Sequence, residues 1–177
     1  MYATSINDLE ILMKQTIQYR DINVLEHGYM VNKAYKVLIK ELESGNHIES
    51  NLYNSIKSNI LDDEIINRYQ IYHDCGKPFC TSESGSFHNH AMHSFNQWNI
   101  LFPDDKTVSD LMMLDMGFHT LRGDEIIELW NNQLAPTLYF TAWAELEANA
   151  SMFGGHDSDS YKIKRKRLIQ AGKKYKG

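Results

Sequence analysis

The sequence predicts an all-α protein folded as a single helical bundle. Three observations carry that expectation. Apolar residues recur at three- and four-residue steps through segments long enough to be helices. Helix stops close these segments at Ser44-Gly45-Asn46 and at Gly154-Gly155. No stretch shows the strong alternation of a half-buried strand, and no repeat or low-complexity linker breaks the pattern. The chain has 177 residues, 42% hydrophobic and 23% charged. That size suits one domain with a sizeable core, and that balance belongs to ordinary globular proteins rather than disordered or fibrous ones. The expected partition is a helical domain over residues 1–160 and a basic C-terminal segment, 161–177, packed on it or trailing from it.

Ser5 or Asn7 is placed to cap a first helix carrying Leu9, Leu12, Met13, Thr16 and Ile17. Tyr19 to Leu25 reads as a short link. A second helix from about Leu25 to Leu42 has Tyr29, Met30, Ala34, Val37, Leu38 and Leu42 as its apolar stripe, with His27 in its first turn. Residues 46–61 read as another helix or helical turn. Asp62-Asp63-Glu64 then puts acid at the start of a helix running to Tyr72, where it complements the helix dipole. Residues 75–88 form a loop compatible with a short strand pair at Phe79-Cys80 and Ser86-Phe87. Asn89 is placed to cap a helix from His90 to about Leu101. Pro103-Asp104-Asp105-Lys106 is a turn, Asp110 to His119 is helical, and Gly123-Asp124 resets the chain into a helix ending near Trp130. Pro136 opens the last long helix, with Leu138, Ala142, Trp143, Leu146, Ala150 and Phe153 as its buried stripe. Asp157-Ser158-Asp159-Ser160 is placed to cap a final basic helix.

No apolar run approaches the roughly 20 residues needed to span a bilayer, so no membrane partner is expected. Met1-Tyr2-Ala3-Thr4-Ser5 lacks the basic and apolar regions of an export signal. With Cys75 and Cys80 read as free thiols, the expected location is the cytoplasm, a host's cytoplasm if the chain is viral. Charge is uneven. Eight of the 18 basic residues follow Asp159 with no acid among them, so the body is near −13 and the tail near +8. The tail reads either as a solvated helix offsetting an acidic body or as a phosphate-facing or nucleic-acid-facing surface, with Tyr161 and Lys162 nearest the site if the helix packs back. Five of the eight histidines fall between His73 and His119, and imidazole is the commonest metal ligand.

The segment Ile71-Tyr72-His73-Asp74-Cys75-Gly76-Lys77-Pro78-Phe79 organises these clues. An imidazole and a carboxylate at a helix end can both turn to one divalent cation, since nitrogen and oxygen donors suit borderline or hard metals. Lys77 follows three residues after Asp74, within reach of an anion bound there. Asp115 and His119 are four apart in an otherwise apolar stretch, so on one helix they share a face. Burying both costs several kcal/mol unless they pair or bind metal. A structural zinc site from Cys75, Cys80, His88 and His90 has a spacing unlike the usual knuckle and leaves His27, His73 and Asp74 unexplained.

His73-Asp74-Cys75-Gly76-Lys77-Pro78 resembles the core of the HD superfamily of metal-dependent phosphohydrolases, in the variant with an HD-x-GK-P string. The resemblance runs from about His27 to about Asn149 and implies an all-helical HD-type domain with one or two divalent cations (Mn, Fe, Ni, Co, Zn or Mg). Carried over residue by residue, it makes His27 the upstream ligand and His73 and Asp74 the central pair, with Asp74 bridging two cations or taking a proton from water. Lys77 is the lysine that stabilises charge on phosphate. His90, with Ala91 and Ser94, matches the histidine after the loop, as ligand or phosphate contact, and His88 and His93 are bystanders. His119 becomes a second-metal ligand, with Asp115 orienting it or itself a ligand. The late carboxylate departs from the family's Asp. Glu145 and Glu147 are the candidates, and Glu145 is favoured because it shares a face with Leu138, Ala142 and Asn149.

The resemblance implies hydrolysis of a phosphoester in a nucleotide-type substrate: a cyclic nucleotide or dinucleotide, a 2′,3′-cyclic phosphate or a nucleoside phosphate. Small size and the lack of partner domains are similar to stand-alone HD proteins of phages. The departed carboxylate keeps an alternative in view, a catalytically degenerate module that binds or sequesters a nucleotide or, through the basic tail, nucleic acid. The sequence sets no oligomeric state.

Overall fold

The computed structural model describes residues 2–80, 87 and 89–176. These residues are all-α apart from one small hairpin. The chain divides into two compact units, Met1–Met30 with Asp63–Asp115, and Val31–Asp62 with Met116–Gly177. Among the described residues no helix is long and apolar enough to cross a membrane.

The first unit begins with α1 (Ile6–Gln15), capped by Ser5, whose hydroxyl accepts from the Asp8 amide at 3.2 Å. Leu9 and Met13, one turn apart, bury that helix's inner face. The expected link after it is instead an antiparallel hairpin of β1 (Ile17–Tyr19) and β2 (Ile22–Asn23), turned at Arg20 with φ +52°. Strands of three and two residues are too short for a period of two to register in the sequence. Asn23 then opens α2 (Val24–Glu43). Its side chain accepts from the Glu26 amide at 2.9 Å, and the Glu26 carboxylate accepts from the Asn23 amide at 3.0 Å. This reciprocal cap satisfies two otherwise orphaned donors and fixes the first turn of α2, where His27 sits.

α4 (Asp63–Tyr72) starts on its two acids and buries Ile66 and Tyr69. A 3-10 turn, Lys77–Phe79, occupies the position where a strand through Phe79-Cys80 was expected, and the partner Ser86 lies outside the described residues. A proline directly after Lys77 suits such a tight helical turn. α5 (His90–Leu101) follows Asn89. Asn89 serves through its backbone, at φ +60°, and not through a side-chain cap. α6 (Lys106–Leu114) starts four residues before the expected helix and packs on α4 and α5. Trp98 fills the space between them, its ring tilted by 41° against Phe102 with centres 4.5 Å apart.

In the second unit α2 ends at Ser44-Gly45-Asn46. Gly45 takes φ +77° and the Asn46 amide reaches back to the Glu41 carbonyl at 2.9 Å. The buried face of α2 is Val24, Leu25, Val31, Tyr35, Leu38 and Leu42. The expected stripe is corrected at Tyr29 and Val37, each 52% exposed: they lie outside the set that steps by three and four from Val24. α3 (Ser50–Ile56) and a 3-10 turn, Lys57–Asn59, follow. α7 (Gly117–Thr120) is a single turn and α8 (Asp124–Trp130) begins after Gly123. The expected helix from Asp110 to His119 is therefore two elements, broken at Asp115-Met116.

α9 (Ala135–Met152), with Pro136 in its first turn, is buried on most sides, including Leu138, Tyr139, Phe140, Ala142, Trp143 and Leu146. Phe153, expected in its stripe, is 41% exposed because the helix ends at Met152 and turns through Gly154 and Gly155. α10 (Asp159–Gly172) carries the basic segment and packs on α7 and α9. Leu168 and Ala171 are buried, and the Tyr139 hydroxyl and Trp130 indole donate to their carbonyls at 2.9 Å each. Ser158 caps α10, its hydroxyl accepting from the Tyr161 amide at 3.3 Å. Ser158→Ala is expected to cost about 1 kcal/mol, measurable as a lowered urea midpoint with unchanged slope.

Candidate metal centre

Two glycines set the geometry in the first unit. Gly28 lies where α2 crosses α4: a β-carbon there would sit 2.8 Å from the Ile71 carbonyl carbon and closer still to its oxygen. Only a bare backbone permits this approach, and it brings the residue before Gly28 against the residues after Ile71. The His27 and His73 rings are 5.5 Å apart. Gly76 does the same for α5. A β-carbon there would meet the His93 carbonyl carbon at 2.7 Å, and the Gly76 amide donates to the buried Ser94 hydroxyl at 2.8 Å. That contact brings His90, in the first turn of α5, to the His-Asp pair.

The convergence point is the Asp74 carboxylate, which is 2% exposed. His73 Nε2 lies 3.2 Å and His27 Nε2 3.8 Å from Asp74 Oδ2, and His90 Nε2 lies 3.4 Å from Oδ1. Lys77, itself buried, donates from Nζ to Asp74 Oδ2 and to Gln18 Oε1 at 2.9 Å. His73 Nδ1 donates to the Gln70 carbonyl at 2.8 Å, and His90 Nδ1 to the Phe87 carbonyl at 2.9 Å. A carbonyl can only accept, so Nδ1 carries the proton in each ring and a neutral ring turns the Nε2 lone pair toward Asp74. Lone pairs facing a carboxylate repel, and the arrangement is stable when a proton or a metal cation lies between them. Backbone carbonyls on the far nitrogen are also what orient ligating histidines. The donor set of imidazole nitrogens and a carboxylate fits a divalent cation.

Burial by itself would raise the pKa of Asp74. With a proton also on Nε2 of the imidazoles, the charges of His73 and Lys77, a hydrogen bond from His73 and the charge of His90 outweigh it, and the carboxyl stays well below its usual range. Burial pushes the Cys75 thiol up to about 12, which holds it protonated at neutral pH. Cys75 and Cys80 are free, and His88, the further member of a Cys/His set, lies outside the described residues. His93 turns away and bonds the Tyr2 hydroxyl at 2.8 Å.

Asp115 is buried and accepts from the Tyr69 hydroxyl, and the Tyr69 ring stands edge-on to His73 with centres 6.5 Å apart. It supports His73 through a tyrosine. It does not share a helix face with His119, since α6 has ended before it. In the second unit His119 Nε2 lies 2.8 Å from Glu145 Oε2, and Asn149 donates to Glu145 Oε1 at 3.4 Å. Glu147 points elsewhere, accepting from the Tyr161 hydroxyl and pairing with His156 Nε2 at 2.7 Å. Lys162 is exposed on the first turn of α10.

The sequence reading missed Gln18, Tyr69 and the packing role of Gly28. Gly28 left a signal, a glycine inside a helical pattern directly beside a candidate ligand. Gln18 and Tyr69 left none, because their partners are 59 and 46 residues away. The chain matches no family model, no curated protein and no solved structure.

Proposed function

We propose that this chain is a metal-dependent phosphohydrolase of the HD type, acting on a phosphoester of a nucleotide-type substrate. The observation that carries the reading is the approach of three imidazoles and one ammonium to the Asp74 carboxylate, with two of the imidazoles tethered by Nδ1 to carbonyls. His27, His73 and Asp74 would hold a divalent cation. Glu145 is the residue assigned to the late carboxylate, from its place in the sequence. His90 and His119 are assigned to a second cation or to the phosphate, and Asp115 to support from behind. Tyr161 and Lys162 keep their assignment as substrate contacts.

When bound, the cations supply Lewis acidity toward phosphate oxygens and a lowered pKa for water. Asp74 would orient the attacking water by accepting its hydrogen bond. Lys77 is held near the reacting phosphate by Asp74 and Gln18 and offsets negative charge that grows in the transition state.

The test is metal analysis of purified protein, then a phosphate-release screen over cyclic, 2′,3′-cyclic and linear nucleotides with manganese, nickel, zinc and magnesium. Turnover that vanishes with EDTA and returns with one of these metals supports the reading. Metal binding without turnover would favour a nucleotide-binding module, the reading for which a late Glu in place of Asp speaks. Lys77→Met is expected to lower kcat by about a hundredfold or more while leaving metal content unchanged.

A further inference from the structure

A cavity of about 80 Å³ opens in the second unit between the α7–α8 corner and α10. Its floor is apolar: Phe118 and Ile126, both buried, with Ala171. Its rim carries three cations, Arg122, Arg167 and Lys174. Two of them are positioned by backbone carbonyls. Arg122 donates to the carbonyls of Leu121 and His119, the latter at 3.2 Å, and Lys174 Nζ donates to the Gly123 carbonyl at 2.7 Å. A carbonyl orients a cation but leaves its formal charge uncancelled, so the rim is fixed and still positive. The acid bonded beside it, Glu125, caps the Arg122 amide at 3.1 Å.

We propose that this cavity is a phosphate-binding site. Two guanidinium forks and an ammonium match the charge and the several acceptor oxygens of a phosphate dianion better than the single charge of a carboxylate. A water occupies roughly 10–15 Å³ on the same measure, so the space takes a phosphate group with a short apolar body laid on Phe118 and Ile126. None of these six residues belongs to the metal centre, and the site stands whether or not that centre hydrolyses anything.

The experiment uses the full chain stripped of divalent ions in EDTA, titrated with inorganic phosphate and with phenyl phosphate by calorimetry, while the Ile126 methyl resonance is followed by NMR. Saturable binding of at least one probe is expected to move that methyl. Arg167→Gln, at an exposed position, is expected to weaken binding about tenfold or more, and the control Lys166→Gln, exposed on the same helix and outside the cavity lining, less than about twofold. Tighter binding of phenyl phosphate assigns the site to a phosphate ester, and equal binding assigns it to free phosphate. Equal losses in the two variants, an unmoved Ile126 methyl, or no saturable binding at millimolar probe would overturn the proposal.

Discussion

Asp74→Asn is expected to remove bound metal and to lower any metal-dependent hydrolysis by about a thousandfold or more. The asparagine keeps the volume and one acceptor, so the pocket is not emptied. What it loses is the negative charge on which His27, His73, His90 and Lys77 converge. A divalent cation among neutral imidazoles has then no carboxylate to balance it. The same change also acts on the fold. Lys77 is 8% exposed, and removing its partner leaves a buried ammonium, a situation that costs about 3–5 kcal/mol. Metal content by mass spectrometry and urea unfolding in EDTA read the two effects separately. The double variant Asp74→Asn/Lys77→Met separates them further. It should regain most of the lost stability, since the unpaired charge is gone, and should still bind no metal. If Asp74→Asn retains a full complement of metal, the centre is elsewhere and the proposed function falls.

Much of the fold was written in local signals. Ser5, Ser44-Gly45-Asn46, Pro136, Gly154-Gly155 and Ser158 start or stop helices through their own backbone and nearest neighbours, and each stands where expected. What local signals could not carry was the choice of face and the point of breakage. Tyr29 and Val37 are apolar and helical yet exposed, because burial depends on what packs opposite. Asp110 to His119 reads as one helix since its Met and Leu residues suit both halves. The break at Asp115-Met116 follows from tertiary contacts: Tyr69 bonds Asp115, while a β-carbon on Gly117 would meet a Leu129 methyl at 2.7 Å.

The site divides in the same way. His73, Asp74 and Lys77 lie within five consecutive residues, and the string itself announces them. His27 and His90 reach them only through close backbone crossings, which the sequence marks by glycine and nothing more. Gln18 sits on a hairpin too short to foresee, so the second hold on Lys77 stayed hidden.

Gly28→Ala tests whether that crossing is as tight as the geometry requires. In an isolated helix the change should stabilise, since alanine is favoured over glycine by about 1 kcal/mol. Here the added carbon would fall 2.8 Å from the Ile71 carbonyl carbon and nearer to its oxygen. The obstacle is backbone inside α4, which cannot swing aside as a side chain would, so α2 and α4 must separate. The expected net loss is about 3 kcal/mol, the upper part of the range for overpacked sites. Gly45→Ala is the comparison: its φ of +77° is strained for alanine, but the position faces open space, and it should lose only about 1 kcal/mol. Separation at Gly28 also draws His27 from His73, so the folded fraction of Gly28→Ala should bind metal more weakly, whereas Gly45→Ala should bind it as the wild type does. Calorimetric metal titration below the unfolding midpoint reads this directly. Should Gly28→Ala prove as stable as the wild type, with unaltered affinity, the helix crossing would not be what places the first ligand, and His27 would lose its claim to the centre.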